Sequence, residues 1–187
     1  MRKLHVFNHV SLDGYFVDST GDMSWAHGED PEFQAFTQEN ASGEAAMLFG
    51  RVTYQMMAGF WPTPAAAQMM PEVAASMNAA PKYVFSRSLS KAEWDNTTLL
   101  KGEILDETRR LKAESGPDLI IMGSGTIVSQ LTEAGLIDAY QIVVNPIVLG
   151  NGRTMFDGVT RRINLALEKT RAFKNGKVVL WYSQGRR

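Results

Sequence analysis

The order of strand-like and helix-like segments predicts an α/β fold built on a mostly parallel central sheet. Short apolar runs that end at glycine or serine alternate along the chain with segments whose apolar residues recur at helical spacing. Strands that alternate with helices in this way pair in parallel, and the helices cover both faces of the sheet. The last two strand-like runs flank Asn175-Gly176, a preferred hairpin dipeptide, which predicts antiparallel strands at one edge.

The first half of the chain begins with a predicted strand over residues 4–10, where branched and aromatic residues alternate with polar ones. A helix then starts at Asp30-Pro31, because Asp caps free backbone N–H groups and Pro is favoured at the first helical position. This helix is expected to end near Gly43. The further predicted elements of this half are strand 46–49, a helix from Gly50 to near Gly59, helical residues 65–80 interrupted at Pro71, and strand 82–86.

The second half of the chain continues the alternation. Its predicted elements are a weak strand at 97–100, helix 103–114, strand 119–122, a helix that ends near Ala134-Gly135, strand 139–144, and hairpin strands at 164–173 and 177–182. No repeat, low-complexity tract or linker interrupts the chain, and 187 residues suit one domain with its own core. We therefore expect residues 1–187 to form a single domain.

The composition favours a cytoplasmic protein and excludes several classes of partner. The formal net charge of −1 offers no basic surface for nucleic acid or for an acidic membrane. The chain has no cysteine, so it has no disulfide, no thiolate metal ligand and no cysteine nucleophile. No apolar run is long enough to span a bilayer, and the amino terminus lacks the apolar core of a signal peptide. No metal site is expected.

Three turns follow short apolar strands and carry groups that bind phosphate. They are Gly50-Arg51, Ser86-Arg87-Ser88 and Gly123-Ser124-Gly125. Glycines let the backbone approach a ligand, helix N-termini offer free N–H groups, and guanidinium groups bind phosphate directly. In an open α/β sheet, ligands bind beyond the carboxyl ends of the strands. We therefore expect the three turns to lie together and to bind a nucleotide.

A dinucleotide fits these turns better than a nucleoside triphosphate. The helix starts after Gly50 and Gly125 are placed to hold a pyrophosphate. Arg87, flanked by Ser86 and Ser88, can meet an extra ribose phosphate, which favours NADP over NAD. The glycine fingerprint of the Rossmann fold is missing from the first β-α turn, and the Walker A loop is missing from the chain. A second interpretation stays open, in which these are plain turns, capping serines and solvated arginines.

Five short motifs, spread over nearly the whole chain, resemble one known family. They are SLDGY (11–15), LFGRVTY (48–54), FSRSL (85–89), MGSGTI (122–127) and NPIVLGNGRTMF (145–156). In this order they are similar to the dihydrofolate reductase-like superfamily, and most to its riboflavin-biosynthesis branch, the RibD C-terminal domain and its stand-alone relatives. The resemblance implies a three-layer αβα fold with a mixed, mostly parallel sheet of about eight strands and a C-terminal antiparallel hairpin. It also implies NADPH as the hydride donor.

The resemblance also assigns residues to the NADPH site. It implies that Gly50, Arg51 and Thr53 contact the phosphates of the cofactor. It implies that Ser86 and Arg87 hold the adenosine end with its extra phosphate. The residues that it implies around the pyrophosphate are Gly123, Ser124, Gly125, Thr126 and Ile127.

The proton donor is less well defined than the cofactor site. The segment GDMSW (21–25) is similar to the mobile loop that closes over the nicotinamide, so Trp25 is a candidate active-site residue as well as a candidate packing residue. Reduction of a C=N bond also needs a proton on nitrogen, usually from a carboxyl group with a raised pKa. Asp30 has the spacing from Trp25 that the family suggests, with helix capping as its alternative role. Asp13, at the end of the first strand, is a catalytic candidate or a turn residue. Further acidic candidates are Glu29 and Glu32.

The sequence therefore predicts an NADPH-dependent reductase of a pterin-like or pyrimidine-like heterocycle, of the dihydrofolate reductase or 5-amino-6-(5-phosphoribosylamino)uracil reductase type. For the second type, Arg153 and Lys174 are candidate contacts of the substrate's ribose phosphate. The zinc deaminase motif of fused riboflavin-biosynthesis enzymes requires cysteine and is missing. A non-catalytic nucleotide-binding or ligand-sensing protein on the same scaffold is the alternative. Strand 139–144 and the terminal hairpin are candidate surfaces for a homodimer.

Overall fold

The computed structural model describes residues 1–28, 30–41 and 43–185, and the predicted alternation of strands and helices is present in them. The strands are β1 Leu4–Ser11, β2 Tyr15–Val17, β3 Ala46–Gly50, β4 Lys82–Phe85, β5 Thr97–Leu100, β6 Leu119–Met122, β7 Ala139–Asn145, β8 Arg153–Thr154, β9 Leu165–Ala172 and β10 Val178–Gln184. The helices are α1 Pro31–Ala41, α2 Arg51–Ala58, α3 Pro64–Met69, α4 Pro71–Ala79, α5 Ile104–Ala113 and α6 Gly125–Glu133, with a 3₁₀ turn at Ser24–Ala26. Within these ranges, no helix combines the length and the apolar character needed to cross a membrane.

Eight of the strands form one sheet in the order β5-β4-β3-β6-β1-β7-β10-β9. The strands from β5 to β7 in this order pair in parallel, and β10 pairs antiparallel with both β7 and β9. The predicted α/β fold, with its mostly parallel sheet and C-terminal antiparallel hairpin, is therefore confirmed. The expectation that residues 139–144 offer a free strand to a second copy is wrong, because β7 already has a neighbour on each side.

The two faces of the sheet pack against different helices, because successive side chains of a strand point to opposite faces. On one face, Leu4 and Val6 of β1 belong to a core cluster with α5 and α6. On the opposite face, Phe7 of β1 packs with Phe33 and Phe36 of α1. Helices α2 and α4 cover β3 and β4 on that same side of the molecule. The helices cover the two faces of the sheet but not the carboxyl ends of the parallel strands. The turns that follow these strands meet at this edge.

Some boundaries differ from the sequence-based expectations for physical reasons. The expected interruption of residues 65–80 at Pro71 is confirmed, since Pro71 cannot continue α3 and instead starts α4. Strands β2 and β8 pair with each other and are too short to leave a periodic pattern in the sequence. The expected end of α1 near Gly43 follows Ser42, which is outside the described residues, and α1 is described as far as Ala41.

The turn between β9 and β10 is longer than the two-residue turn predicted from Asn175-Gly176. The N–H of Phe173 donates to Lys177 O at 2.9 Å, and the N–H of Gly176 donates to Phe173 O at 3.0 Å. The loop therefore consists of residues 174–176, with Gly176 in the left-handed region at a φ of 86°. This is the three-residue hairpin that needs glycine at its last position. It places Lys177 at the carboxyl end of β7, since Val178 pairs with Val144.

Candidate functional site

The three turns expected to bind phosphate lie side by side at one edge of the sheet. Strands β4, β3, β6 and β1 are consecutive neighbours and run in the same direction. Their carboxyl ends therefore meet at the same edge, which carries Ser86, Gly50, Gly123 and Ser11 in this order. The strand order, rather than the sequence spacing, brings the turns together.

The hydroxyl group of Ser124 links two of these turns. It accepts a hydrogen bond from the N–H of Gly50 at 2.8 Å and donates one to Thr53 Oγ1 at 2.9 Å. A Cβ atom on Gly50 would lie 3.2 Å from Ser124 Oγ and 3.4 Å from Ile127 Cδ1, so a larger residue would press on this contact. One side chain thus holds the start of α2 against the start of α6.

The backbone before α6 has a conformation that a side chain disfavours. Gly123 and Ser124 both have positive φ angles, of 78° and 62°. The N–H of Gly123 donates to Asn8 Oδ1 at 2.6 Å. On the other side, a Cβ atom on Gly125 would lie 2.5 Å from the ring of Phe16. Asn8 of β1 and Phe16 of β2 therefore confine this turn between them.

The starts of α2 and α6 both suit an anion. Neither N-cap residue, Gly50 or Ser124, caps its helix with a side chain. The first N–H groups of a helix lack intrahelical acceptors, so uncapped helix starts bind phosphate readily. Thr126 is exposed at the start of α6, whereas Ile127 is buried and its N–H donates to Ser124 O at 2.8 Å. Ile127 thus packs beneath the turn, and its expected contact with the pyrophosphate remains a prediction.

The turn after β4 carries an exposed guanidinium group. Arg87 forms an ion pair with Glu103, which precedes α5, and both side chains are exposed. Exposed pairs of this kind contribute little stability, so Arg87 can exchange Glu103 for a phosphate. Ser86 Oγ accepts a hydrogen bond from the N–H of Ser88 at 3.3 Å. Ser86 therefore stabilises the turn, which is the second interpretation given above for these serines. Arg51, at the start of α2, is also exposed.

Asp13 has a structural role at the end of β1. Its carboxylate accepts hydrogen bonds from Ser11 Oγ at 2.6 Å, from the Leu149 N–H at 3.1 Å and from the Gly150 N–H at 2.8 Å. These bonds, and first of all the one from Ser11, lower the pKa of Asp13. A proton donor at neutral pH needs a raised pKa. Asp13 therefore links β1 to the loop at residues 149–150, and its expected catalytic role remains a prediction.

Asp30 caps α1, since its Oδ1 accepts a hydrogen bond from the Phe33 N–H at 2.7 Å. The capping alternative for Asp30 is thus confirmed, and a catalytic role remains a prediction. Glu32 forms an ion pair with Arg171 at 3.4 Å. Glu29 lies outside the described residues. No acid that the sequence offered as a proton donor is shown in that role.

The loop before α1 is ordered by its own polar groups. Asp18 Oδ1 accepts hydrogen bonds from the N–H groups of Thr20 at 2.8 Å and Asp22 at 2.9 Å. Trp25 is partly buried and donates its indole N–H to Asp22 O at 3.2 Å. Both roles foreseen for Trp25, packing and closure over a ligand, are compatible with this arrangement. Closure itself remains a prediction.

The two basic residues considered for a substrate phosphate lie on different elements. Arg153 of β8 lies over the ring of Phe16, with its guanidinium carbon 5.6 Å from the ring centroid. Lys174 is exposed in the turn between β9 and β10. The structure shows no contact that brings them together.

Three polar residues that the sequence analysis did not select lie on the α1 side of the same edge. Asn145, at the end of β7, has its Nδ2 atom 3.5 Å from Nδ1 of His9. Lys177 donates to Ala26 O at 2.6 Å and lies 4.2 Å from the centroid of the Phe33 ring. His9 and Asn145 lie near the carboxyl ends of their strands, where ligands bind in such sheets, and this position was a usable signal. Nothing in the sequence marks Lys177 as buried.

The pKa of His9 is lowered to about 4, first by burial and then by the positive charge of Lys177, while the hydrogen bond with Asn145 acts in the opposite direction. The unfolded chain binds a proton on His9 more tightly than the folded protein does, because its imidazole has a pKa of 6.5. The contribution of neutral His9 to the free energy of unfolding is therefore complete above pH 6.5 and is lost as the pH falls towards 4. Between pH 7 and pH 5 the wild type should lose about 2 kcal/mol more unfolding free energy than His9→Phe. Urea titrations at the two pH values measure the difference, and parallel losses would contradict the assignment.

Comparisons with known proteins agree with this architecture. The family model of the RibD C-terminal domain matches residues 2–179. The uncharacterized protein YyaP of Bacillus subtilis (strain 168) is 29% identical over 175 residues, which make up 92% of this chain and 90% of YyaP.

Solved structures show the same fold. A protein from Shewanella sp. PV-4 with a provisional assignment to riboflavin biosynthesis superposes with a TM-score of 0.73 at 24% identity, over 98% of this chain and 99% of that one. Dihydrofolate reductase from Enterococcus faecalis superposes with a TM-score of 0.66 at 14% identity, over 98% of this chain and 97% of the enzyme. At these identities the likeness shows the fold, which is dihydrofolate reductase-like. Since the family model covers nearly the whole chain, the protein belongs to the RibD C-terminal domain family.

Proposed function

We propose that the protein is an NADPH-dependent reductase of a pterin-like or pyrimidine-like heterocycle. The observation that carries the proposal is the pair of uncapped helix starts that Ser124 links at the carboxyl edge of the sheet. Two such starts suit the two phosphates of a dinucleotide. Membership in the RibD C-terminal domain family supports the proposal, and the Enterococcus faecalis enzyme of the same fold was solved in complex with NADP(H).

In this proposal the residues of the edge bind and orient NADPH. The start of α2, with Gly50, Arg51 and Thr53, and the start of α6, with residues 123–126, bind the pyrophosphate. Arg87, between Ser86 and Ser88, binds the 2′-phosphate of the adenosine ribose. When bound, the cofactor supplies a hydride to the substrate. The loop that carries Trp25 excludes water from the reacting atoms.

A pyrimidine or a pterin is the proposed substrate class. A Thermotoga maritima protein of this fold, with a TM-score of 0.69 at 14% identity, is a diaminohydroxyphosphoribosylaminopyrimidine deaminase and 5-amino-6-(5-phosphoribosylamino)uracil reductase, and the present chain spans 57% of it. A place in riboflavin biosynthesis is therefore one form of the proposal, and folate-type reduction is the other. Arg153 and Lys174 are the proposed contacts of a phosphorylated substrate.

Arg87→Ala tests the cofactor assignment. The variant is expected to raise the Kd for NADPH about tenfold and to leave the Kd for NADH nearly unchanged, because only NADPH has a 2′-phosphate to lose a charge-assisted hydrogen bond. Quenching of the four tryptophans, or the rise in melting temperature on adding cofactor, measures both affinities. Arg109→Ala, another exposed ion-paired arginine, is the control. Equal losses for both cofactors would reject the role of Arg87, and no response of the wild type to millimolar NADPH would contradict the proposal itself.

A nucleotide-binding protein without turnover is the second candidate function. The observation that favours it is that Asp13 and Asp30, two candidate proton donors among the described residues, both accept hydrogen bonds from backbone N–H groups. The two candidates differ in one measurement. Oxidation of NADPH, followed at 340 nm with a panel of pterins, dihydrofolates and aminopyrimidines, identifies the reductase, whereas tight binding without oxidation identifies the binding protein.

We also propose a cytoplasmic homodimer. Strand β9 is an edge strand of the sheet, and its Leu165 and Leu167 are 37% and 54% exposed. Exposed apolar side chains on an unpaired edge mark a surface for another chain. Sedimentation velocity measures the oligomeric state, and a monomer at micromolar concentration would reject the dimer.

A further inference from the structure

Three lysines with almost fully buried side chains differ in how their charge is compensated. Lys82 Nζ donates to three backbone carbonyl oxygens at 2.7, 3.0 and 3.1 Å. Lys112 Nζ donates to a backbone carbonyl oxygen and to the carboxylate of Asp138. In the described part of the chain, Lys177 Nζ donates to Ala26 O alone, and no carboxylate there lies within 4.0 Å of it. Within the described residues, Lys177 is therefore a buried cation that uses one of its three donor positions, which is costly for a group of purely structural role.

The surroundings of Lys177 are mostly aromatic, with few charges. Its Nζ lies 4.2 Å from the centroid of the Phe33 ring, and the rings of Phe33 and His9 meet edge to face at 5.8 Å. Burial lowers the pKa of Lys177, and the negative charge of Asp30 at the start of α1 partly opposes this. His27, after the 3₁₀ turn, adds a second imidazole near His9.

One further pair of opposite charges on the neighbouring elements is an ion pair between β9 and α1. Arg171 of β9 lies over the rings of Phe36 and Phe173 and forms its ion pair with Glu32 of α1. This leaves Asp30 as the charge in the described residues that acts on Lys177 with opposite sign.

Lys177, His9 and Phe33 lie on the other side of β1 from the proposed cofactor site. Asn8 and His9 are consecutive in β1, so their side chains leave opposite faces of the sheet. Asn8 holds the Gly123 turn on the α6 side, and His9 contacts Phe33 on the α1 side. One strand residue spans about 3.4 Å. The Gly123 turn and the group of His9 and Lys177 therefore lie at the same carboxyl edge of the sheet, on its two faces, where ligands bind in sheets of this kind.

We propose that Lys177 binds the polar edge of the heterocyclic substrate and supplies the proton for its reduction, with His9 as the positioning residue beside it. The inference rests on the proposed reductase function, and it assigns the role of proton donor to a lysine and not to an acidic residue. His9 is neutral at pH 7 and bonded to Asn145, so it orders the site without adding a second cation.

The proton step balances with the residues present. The carbon of the C=N bond takes the hydride with its electron pair, and the π electrons of that bond move to nitrogen. The nitrogen takes a proton from Lys177 Nζ, which becomes a neutral amine and is reprotonated by water after product release. A lysine whose pKa is lowered by burial gives up its proton more readily than an exposed one.

Binding without turnover is the first test. With saturating NADP⁺ present, the wild type is titrated with 6-methylpterin and with 5-aminouracil, and the titrations are repeated with Lys177→Met. The variant is expected to lose at least tenfold in affinity for the heterocycle while its affinity for NADP⁺ is unchanged. Lys169→Met is the matched control, because Lys169 is an exposed lysine of the same hairpin, over the ring of Trp181. Equal affinities in Lys177→Met and the wild type, or no binding of either heterocycle at millimolar concentration, overturn the inference. If NADP⁺ itself does not bind, the proposed function fails and the inference falls with it.

Stability separates this role from a structural one. Removal of a poorly compensated buried charge costs the fold little, so Lys177→Met is expected to melt at or above the wild-type temperature. A melting temperature several degrees lower would assign Lys177 to structure.

The pH dependence of single-turnover NADPH oxidation tests the proton transfer itself. In the wild type the rate is expected to fall as pH rises through the pKa of Lys177, because the donor is then deprotonated. In Lys177→Met the rate should be lower by about a hundredfold and should lack this basic limb. The same basic limb in both proteins, or no turnover of any heterocycle by a wild type that binds NADPH, overturns the proton-donor role.

Discussion

Gly125→Val is expected to raise the Kd for NADPH by about two orders of magnitude. The new Cβ would lie 2.5 Å from the ring of Phe16, which is itself buried, so the start of α6 has to move away. Overpacking of this kind costs about 1–3 kcal/mol, and a displaced helix start no longer aims its N–H groups at the pyrophosphate. Fluorescence titration with NADPH measures the loss.

A control substitution at another glycine and a compensating substitution at Phe16 show whether the effect of Gly125→Val arises from the clash with Phe16. Gly28→Ala is the control, since a Cβ there meets no atom within 4 Å and the residue has no positive φ. Adding Phe16→Ala to Gly125→Val should restore part of the affinity, because it removes the ring that the new side chain strikes. Normal NADPH binding by Gly125→Val in a folded protein would show that the start of α6 does not hold the cofactor.

Lys82→Met is expected to give the largest loss of stability, about 3 kcal/mol. The buried ammonium group donates to three backbone carbonyl oxygens, and its removal takes a charged donor from all three, of which Asn78 O keeps a second donor in Asn96 Nδ2. It also lies 4.5 Å from the centroid of the Trp94 ring, a contact that methionine replaces only in part. For a chain of this size, the melting temperature should fall by about 6–12 °C.

Lys91→Met supplies the control for this prediction, because Lys91 is exposed. Its melting temperature should stay within about 1 °C of the wild type. The comparison with Lys177→Met is also informative, since two buried lysines are then expected to give opposite results. Similar losses for both would mean that hydrogen-bond compensation does not decide the stability of buried cations in this fold.

The fold was predictable because its signals are local and repeated. Apolar strands, helix starts such as Asp30-Pro31 and the Asn175-Gly176 turn each favour one structure, and together they favour one topology. The loop of the hairpin was not predictable to the residue, since two-residue and three-residue turns share the same dipeptide. The chance to misjudge β7 as a free strand had a related cause: strand order is a property of the whole sheet and not of any segment.

The meeting of the three glycine and serine turns at one edge was predictable from the sequence, whereas the arrangement on the α1 side was not, for a physical reason. Phosphate turns combine glycine with a helix start, and this combination is visible in three consecutive letters such as Gly123-Ser124-Gly125. Lys177 acquires its character from Phe33 and Ala26, which are more than a hundred positions away in the chain. Burial and charge compensation of this kind exist only in the folded protein. For the same reason, the hydrogen bonds that Asp13 accepts from the N–H groups of Leu149 and Gly150 were not visible in the sequence.

The compensated cations lie at the end of the strands opposite the phosphate turns. Lys82 opens β4, and the N–H of Leu4, which opens β1, donates to the carboxylate of Asp138 that also binds Lys112. Changes at this end are therefore expected to act mainly on how much folded protein a cell retains, whereas changes at the other end are expected to act also on the proposed recognition of cofactor and substrate. Because the two ends share few residues, new specificities can arise at the carboxyl ends without eroding the margin of stability held at the amino ends.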